Sequence, residues 1–128
     1  MIDIDPQQEL FTALKLNLEQ IGSVYDSVLP PENTPYPFYF LGECQQIDKE
    51  LKNAIHGKVH QTIHLWHYSD QRGTLSNMML TAKAVCRNIK QTANFSWAVR
   101  NINQRILNDK STATPLLHGV IDVEFEFN

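Results

Sequence analysis

The chain has 128 residues, 42% of them hydrophobic and 20% charged, with a formal net charge of −3 at neutral pH. This length predicts a single domain over 1–128, and no apolar run approaches the ~20 residues of a membrane span. Lysines and arginines are scattered, so the basic stripe that grips phosphates is missing and tight nucleic-acid binding is not expected.

The opening residues Met1-Ile2-Asp3-Ile4-Asp5-Pro6 have neither the basic nor the apolar region of a secretion signal, so the protein is expected to stay where it is made. Asp5-Pro6-Gln7-Gln8 reads as a helix start: Asp5 as cap, Pro6 in the first turn, Gln8 at the reciprocal capping-box position. Leu10, Phe11, Leu14, Leu18 and Ile21 follow as one apolar stripe at helical spacing, with Gly22 as the stop.

From Val24 to Pro37 the prolines fix φ and remove donors, so this stretch is expected to be a stiff, irregular connector. It feeds a strand, Phe38 to Ile47, in which Gly42 marks a bulge or a close approach. Asp48 to Gly57 is expected to be the exposed loop, with at most a helical turn, of a long hairpin. Its Asp48, Lys49, Glu50 and Lys52 are candidate interface residues, because loops on a rigid sheet often carry partner contacts.

His56 to Tyr68 alternates with period two, placing Val59, Ile63 and Leu65 on one side and His60, Thr62, His64, Trp66 and Tyr68 on the other. It is expected to be the central strand, with Ile63 and Trp66 organising the core. Asp70 to Gly73 then turns into a helix capped by Thr74 or Ser76. Its Leu75, Met78, Met79, Ala82, Val85, Cys86 and Ile89 repeat at three and four, and the pair Met78 and Met79 is expected to fill core. Cys44 falls in a predicted strand and Cys86 on this apolar helix face; with no export signal, both are expected to be reduced, buried thiols.

The last third reads as two strands, Trp97 to Leu107 and Leu116 to Phe127, around a turn at Asn108 to Thr112. In the second, Ile121, Val123, Phe125 and Phe127 alternate with Asp122, Glu124 and Glu126, so one face is core and the other wet. The order α-β-β-α-β-β with short turns predicts an α+β fold: a two-layer sandwich, a mainly antiparallel four-stranded sheet with two helices on one face. Nothing is left to cover the second sheet face, which points to another subunit.

The histidines at 56, 60, 64 and 67 raise a metal hypothesis that strand geometry disfavours. Positions four apart on a strand are separated by ~13 Å, whereas zinc ligands lie within ~2.1 Å of one ion. His67 faces away from His64, and His118 lies far along the chain. Asp122, Glu124 and Glu126 have same-face neighbours ~6.6 Å apart, compatible with acid–base work, but no pocket or raised pKa is implied. No phosphate loop or nucleophile elbow is present. The chain reads as a non-enzyme with no metal and no cofactor.

Val24-Tyr25-Asp26-Ser27-Val28, Tyr36-Pro37-Phe38, Thr62-Ile63-His64-Leu65-Trp66, and His118-Gly119-Val120-Ile121 leading to Glu124-Phe125 occur in that order. Over about Leu10 to Phe127 the chain resembles the tail completion, or tail terminator, proteins of long-tailed (siphovirus-type) bacteriophages. It departs from their pattern in an extra proline and a longer connector around Pro30 to Pro35. The resemblance implies a small α/β virion subunit, assembled in the host cytoplasm as a ring, usually six-membered, on the head-proximal end of the tail tube. It implies as partners further copies of the chain, the major tail tube protein, a head-completion or neck protein, and genomic DNA passing through the lumen. Asp122, Glu124 and Glu126, or the charged hairpin residues, are the candidates to line that lumen, where like charge keeps DNA sliding. Two alternatives are a head-side connector or neck protein, favoured by a gene beside those for portal and capsid, and a metal-binding enzyme, favoured by stoichiometric zinc.

Overall fold

The computed structural model describes residues 5–26, 28, 30–51 and 54–128. The first four residues, Ser27 of the first resemblance marker and the interface candidate Lys52 lie outside the described residues. The elements are α1 (Pro6–Glu19), β1 (Val24–Asp26), β2 (Phe38–Leu51), β3 (Ala54–Tyr68), α2 (Arg72–Asn88), β4 (Trp97–Asp109) and β5 (Leu116–Phe127). They form one five-stranded sheet in the order β1-β2-β3-β5-β4.

This corrects the expected four-stranded, mainly antiparallel sheet. Val24–Asp26 pairs in parallel with Tyr39–Leu41, so the sheet is mixed and the element order is α-β-β-β-α-β-β. A three-residue strand is too short to show alternation. The proline-rich stretch after it is the crossover that a parallel pair requires.

The second correction concerns Asp48 to Gly57, which is strand rather than loop. β2 and β3 stay paired through Asp48↔Gly57, Lys49↔His56, Glu50↔Ile55 and Leu51↔Ala54. β5 joins β3 only from Gly57↔Phe127 onward, so the end of this hairpin projects past the third strand as a two-stranded arm. Charged residues signal a solvated surface, but ladder bonds use only backbone and leave no such mark.

α1 begins where expected. The Asp5 carboxylate accepts from the Gln7 N–H at 3.1 Å, and the Gln46 side-chain oxygen takes the same donor at 3.0 Å, tying the helix start to β2. Gln8 does not close a capping box; its amide donates to Thr12. Leu10, Leu14 and Leu18 are buried, each worth roughly 1.5–3 kcal/mol of apolar transfer. Ile21, expected on that stripe, is exposed because the helix ends at Glu19.

α2 starts at Arg72, ahead of the expected caps; Gln71 is the N-cap without a side-chain bond, and Thr74 donates to the Gln71 side chain instead. Its Leu75, Met79, Ala82 and Cys86 are buried, and Met78 is only half-buried. Both helices pack on the face formed by Tyr39, Leu41, Val59, Ile63, Leu65, Leu117, Ile121, Val123, Phe125 and Phe127. Burial pushes the Tyr39 phenol up to about 12, leaving a neutral hydroxyl that donates to the Met78 carbonyl. Burial likewise pushes the Cys86 thiol up to about 12 and raises Cys44, and both thiols are free. Trp66 is not part of this core: it lies on the opposite sheet face. Among the described residues no helix is long and apolar enough to cross a membrane.

Gly42 marks both a bulge and a close approach. The β2–β3 register shifts between Leu41 and Cys44, and a Cβ on Gly42 would lie 2.7 Å from the His64 ring. Gln61, buried at 2% exposure among aliphatic neighbours, fills the irregularity: its amide donates to the carbonyls of Gly42, Glu43 and Thr62.

Candidate functional site

The sheet face away from the helices has two chemically different ends. Strand alternation places Lys58, His60, Thr62, His64, Trp66 and Tyr68 of β3 there, together with His118, Asp122, Glu124 and Glu126 of β5.

At the arm end the face is a charged lattice. Asp122, Glu124 and Glu126 stand in one row, as the alternation predicts, but each has a cation across the strand. Arg105 meets Asp122 at 3.3 Å, Lys58 meets Glu124 at 3.6 Å, and Arg100 meets Glu126 at 3.2 Å. Thr62 adds a hydrogen bond to Asp122 at 2.8 Å, and His60 lies 3.6 Å from Glu124. The Arg100 hydrogen bond, set against a small burial cost, holds the Glu126 carboxyl below the usual range. Each carboxylate of the row thus faces a basic side chain on a neighbouring strand. Of the arm candidates, Asp48, Lys49 and Glu50 lie on β2, where Lys49 pairs across to His56 on this same face.

At the other end the face is aromatic. Tyr36 stacks on Phe38 (centroids 5.5 Å), Phe38 meets Trp66 (5.5 Å), and His118 lies flat on Trp66 at 4.2 Å with planes 8° apart. His64 continues the stack at 5.0 Å from His118, and His64 Nδ1 is 2.8 Å from His118 Nε2. His118 was expected to lie apart from the other histidines; the register Trp66↔His118 brings it beside them. Burial first, then the nearby His64, lowers the pKa of His118, which favours its neutral ring. Among the described residues no group of three or more His, Cys, Asp or Glu side chains is placed to hold a metal ion.

The connector from Pro30 to Pro37 and the segment Thr112 to Thr114 rise on two sides of this end and enclose a cleft of about 630 Å³ floored by Phe38 and Trp66. Sequence reasoning missed this cleft, because its walls come from segments with no periodicity. Exposed Ile47, Tyr68 and Leu107 lie on the same sheet face around these features.

No protein-family model and no curated protein matches the chain. The fold recurs in solved structures, two of which match over nearly the full length of both chains. One is a chain of the virion of a native gene transfer agent particle, with a TM-score of 0.60 and 13% identity over 94% of both chains. The other, which carries no functional name, has a TM-score of 0.60 and 11% identity over 95% of both chains.

Proposed function

We propose that the chain is a structural subunit of a phage-type virion, and within it the tail terminator. It closes the head-proximal end of the tail tube as a ring, usually of six copies, ends tube polymerisation and offers the surface to which the head is joined. The observation that carries the reading is the fold shared over 94% of both chains with a protein of a gene transfer agent virion, a phage-like particle. The ordered markers of the tail-terminator resemblance narrow it from virion component to tail end.

The outer sheet face supports an assembly role. It combines exposed apolar side chains with ion pairs and an arm of only two strands, and an isolated two-stranded ribbon is marginal until something packs on it. Neighbouring copies, the tube protein and the neck protein are the partners in this reading. DNA passes the lumen without being gripped, in keeping with a net charge of −3. The row Asp122, Glu124 and Glu126, or the arm residues Asp48, Lys49 and Glu50, borders that lumen. No catalytic step is assigned to the chain.

Deleting the gene and inspecting lysates by electron microscopy tests the reading. Overlong tubes, or finished tails never attached to heads, are expected. Tails of normal length beside heads that lack a connector would favour the head-side neck protein, and ordinary virions would refute both.

A further inference from the structure

Most carboxylates on the outer sheet face have a cationic or titratable partner. Glu43 lies 3.6 Å from His64, and Asp122, Glu124 and Glu126 meet Arg105, Lys58 and Arg100. Asp109 is different. It sits in the cleft wall, makes no ion pair among the described residues and feels His118 only across space. Its hydrogen-bond donors are neutral, Oδ1 accepting from the Ser111 N–H at 2.9 Å and hydroxyl at 2.5 Å, and Oδ2 from the Trp66 indole at 3.3 Å. Those bonds, led by the Ser111 hydroxyl, hold its pKa below the usual carboxylate value. It is therefore ionised, and each carboxylate oxygen offers two acceptor sites, so Oδ2 retains capacity for another donor.

The second charged group of the cleft is Glu32, on the connector wall, again without an ion-pair partner among the described residues. Among the described residues no lysine, arginine or histidine lines the cleft, and its remaining surface includes Tyr36, Phe38, Trp66 and Tyr68. Aromatic walls around a carboxylate that no lysine or arginine pairs complement a delocalised cation, which gains from ring faces as well as from charge. A guanidinium fits better than an ammonium, because it is planar, weakly hydrated and forks onto a carboxylate.

We propose that this cleft receives an arginine side chain presented by a partner polypeptide. The contact is independent of the tail-terminator reading: Asp109 accepts the guanidinium, Glu32 faces it from the opposite wall, and the aromatic residues exclude water around it.

The test is an NMR titration of the whole protein with a blocked Gly-Arg-Gly peptide, at ionic strength matched with sodium chloride. The reporter is the Trp66 indole N–H, which bonds Asp109. Trp97, buried and donating to Thr92 at 2.8 Å, is the internal control. A saturable shift of the Trp66 resonance is expected, with Trp97 unmoved and a several-fold smaller response to the isosteric citrulline peptide. Asp109→Asn should abolish the preference for arginine. Because Asp109 also orders the Ser111 turn, Glu32→Gln on the exposed wall serves as a second variant, and should weaken the response several-fold. No shift, an equal shift with citrulline, or full responses in both variants would overturn the proposal.

Discussion

His64 Nδ1 and His118 Nε2 face each other at 2.8 Å, so one imidazole donates and the other accepts, and both cannot be cations. Glu43 lies 3.6 Å from the far side of His64, Asp109 favours the cationic form of His118, and Arg105 opposes it. Burial and His64 prevail, and His118 titrates below its ordinary 6.5. A base with a depressed folded-state pKa binds its proton more readily when unfolded. Its contribution is therefore complete above the unfolded value and is lost as pH falls toward the folded one. Denaturant unfolding should show stability declining as pH falls through the ordinary histidine range, from about pH 7 downward. His118→Gln should flatten that decline. It should not abolish it, since burial also depresses His67 despite the opposing Asp70. An unchanged slope in the variant would show that the pair does not carry the effect.

Three glycine-to-alanine variants should rank by what a Cβ would meet. At Gly57 it would run into the Ile47 carbonyl oxygen and lie 2.9 Å from the Phe127 ring and 3.1 Å from the Asp48 Cα. Relief there requires breaking the β2–β3 ladder, a cost of at least about 3 kcal/mol. At Gly42 the obstacle is the His64 ring, whose side chain is 15% exposed and held in the aromatic stack, so about 1–2 kcal/mol is expected. At Gly73, in the first turn of α2, nothing lies within 4 Å, and alanine should gain up to about 1 kcal/mol. Urea midpoints of the three variants check the order.

Much of this fold is written in periodicity. The alternation of His56 to Tyr68 assigns both faces of β3 correctly, the repeat from Leu75 to Cys86 gives the buried stripe of α2, and Ile121 to Phe127 gives the core side of β5. What periodicity cannot carry is pairing. β1 is too short to alternate, the arm shows itself only in backbone pairing, and His118 meets Trp66 only through register. The row Asp122, Glu124 and Glu126 was legible as a row, but its pairing with Lys58, Arg100 and Arg105 depends on two different neighbouring strands. The cleft depends on two aperiodic segments meeting, and no sequence signal marks it.

Gln61 occupies a position that the pattern assigns to an aliphatic residue, and the bulge explains why. Its amide serves the carbonyls of Gly42, Glu43 and Thr62 at 3.3, 3.4 and 2.9 Å. Gln61→Leu keeps comparable bulk but leaves these acceptors short of a donor, at a cost of about 1–3 kcal/mol. Gln61→Glu should be worse at neutral pH, since a buried carboxylate would face carbonyl oxygens. A leucine variant as stable as the parent in urea would mean that the bulge satisfies itself.

Placing the carboxylate row beside the DNA path predicts the outcome of reversing its charge. Glu124→Lys with Glu126→Lys would replace two ion pairs with like charges facing Lys58 and Arg100. These side chains are partly exposed, and such surface pairs contribute little to folding, so the subunit should still fold and join the tail. A ring whose lumen gains lysines at these positions attracts the phosphate backbone and slows its passage. The double variant should therefore yield virions with tails of normal length but reduced infectivity. The defect should ease as salt is raised, because screening shortens the reach of the added charges. Plaque titre against salt, with tail lengths measured on the same particles, decides the matter: full infectivity at low salt would move the row away from the lumen.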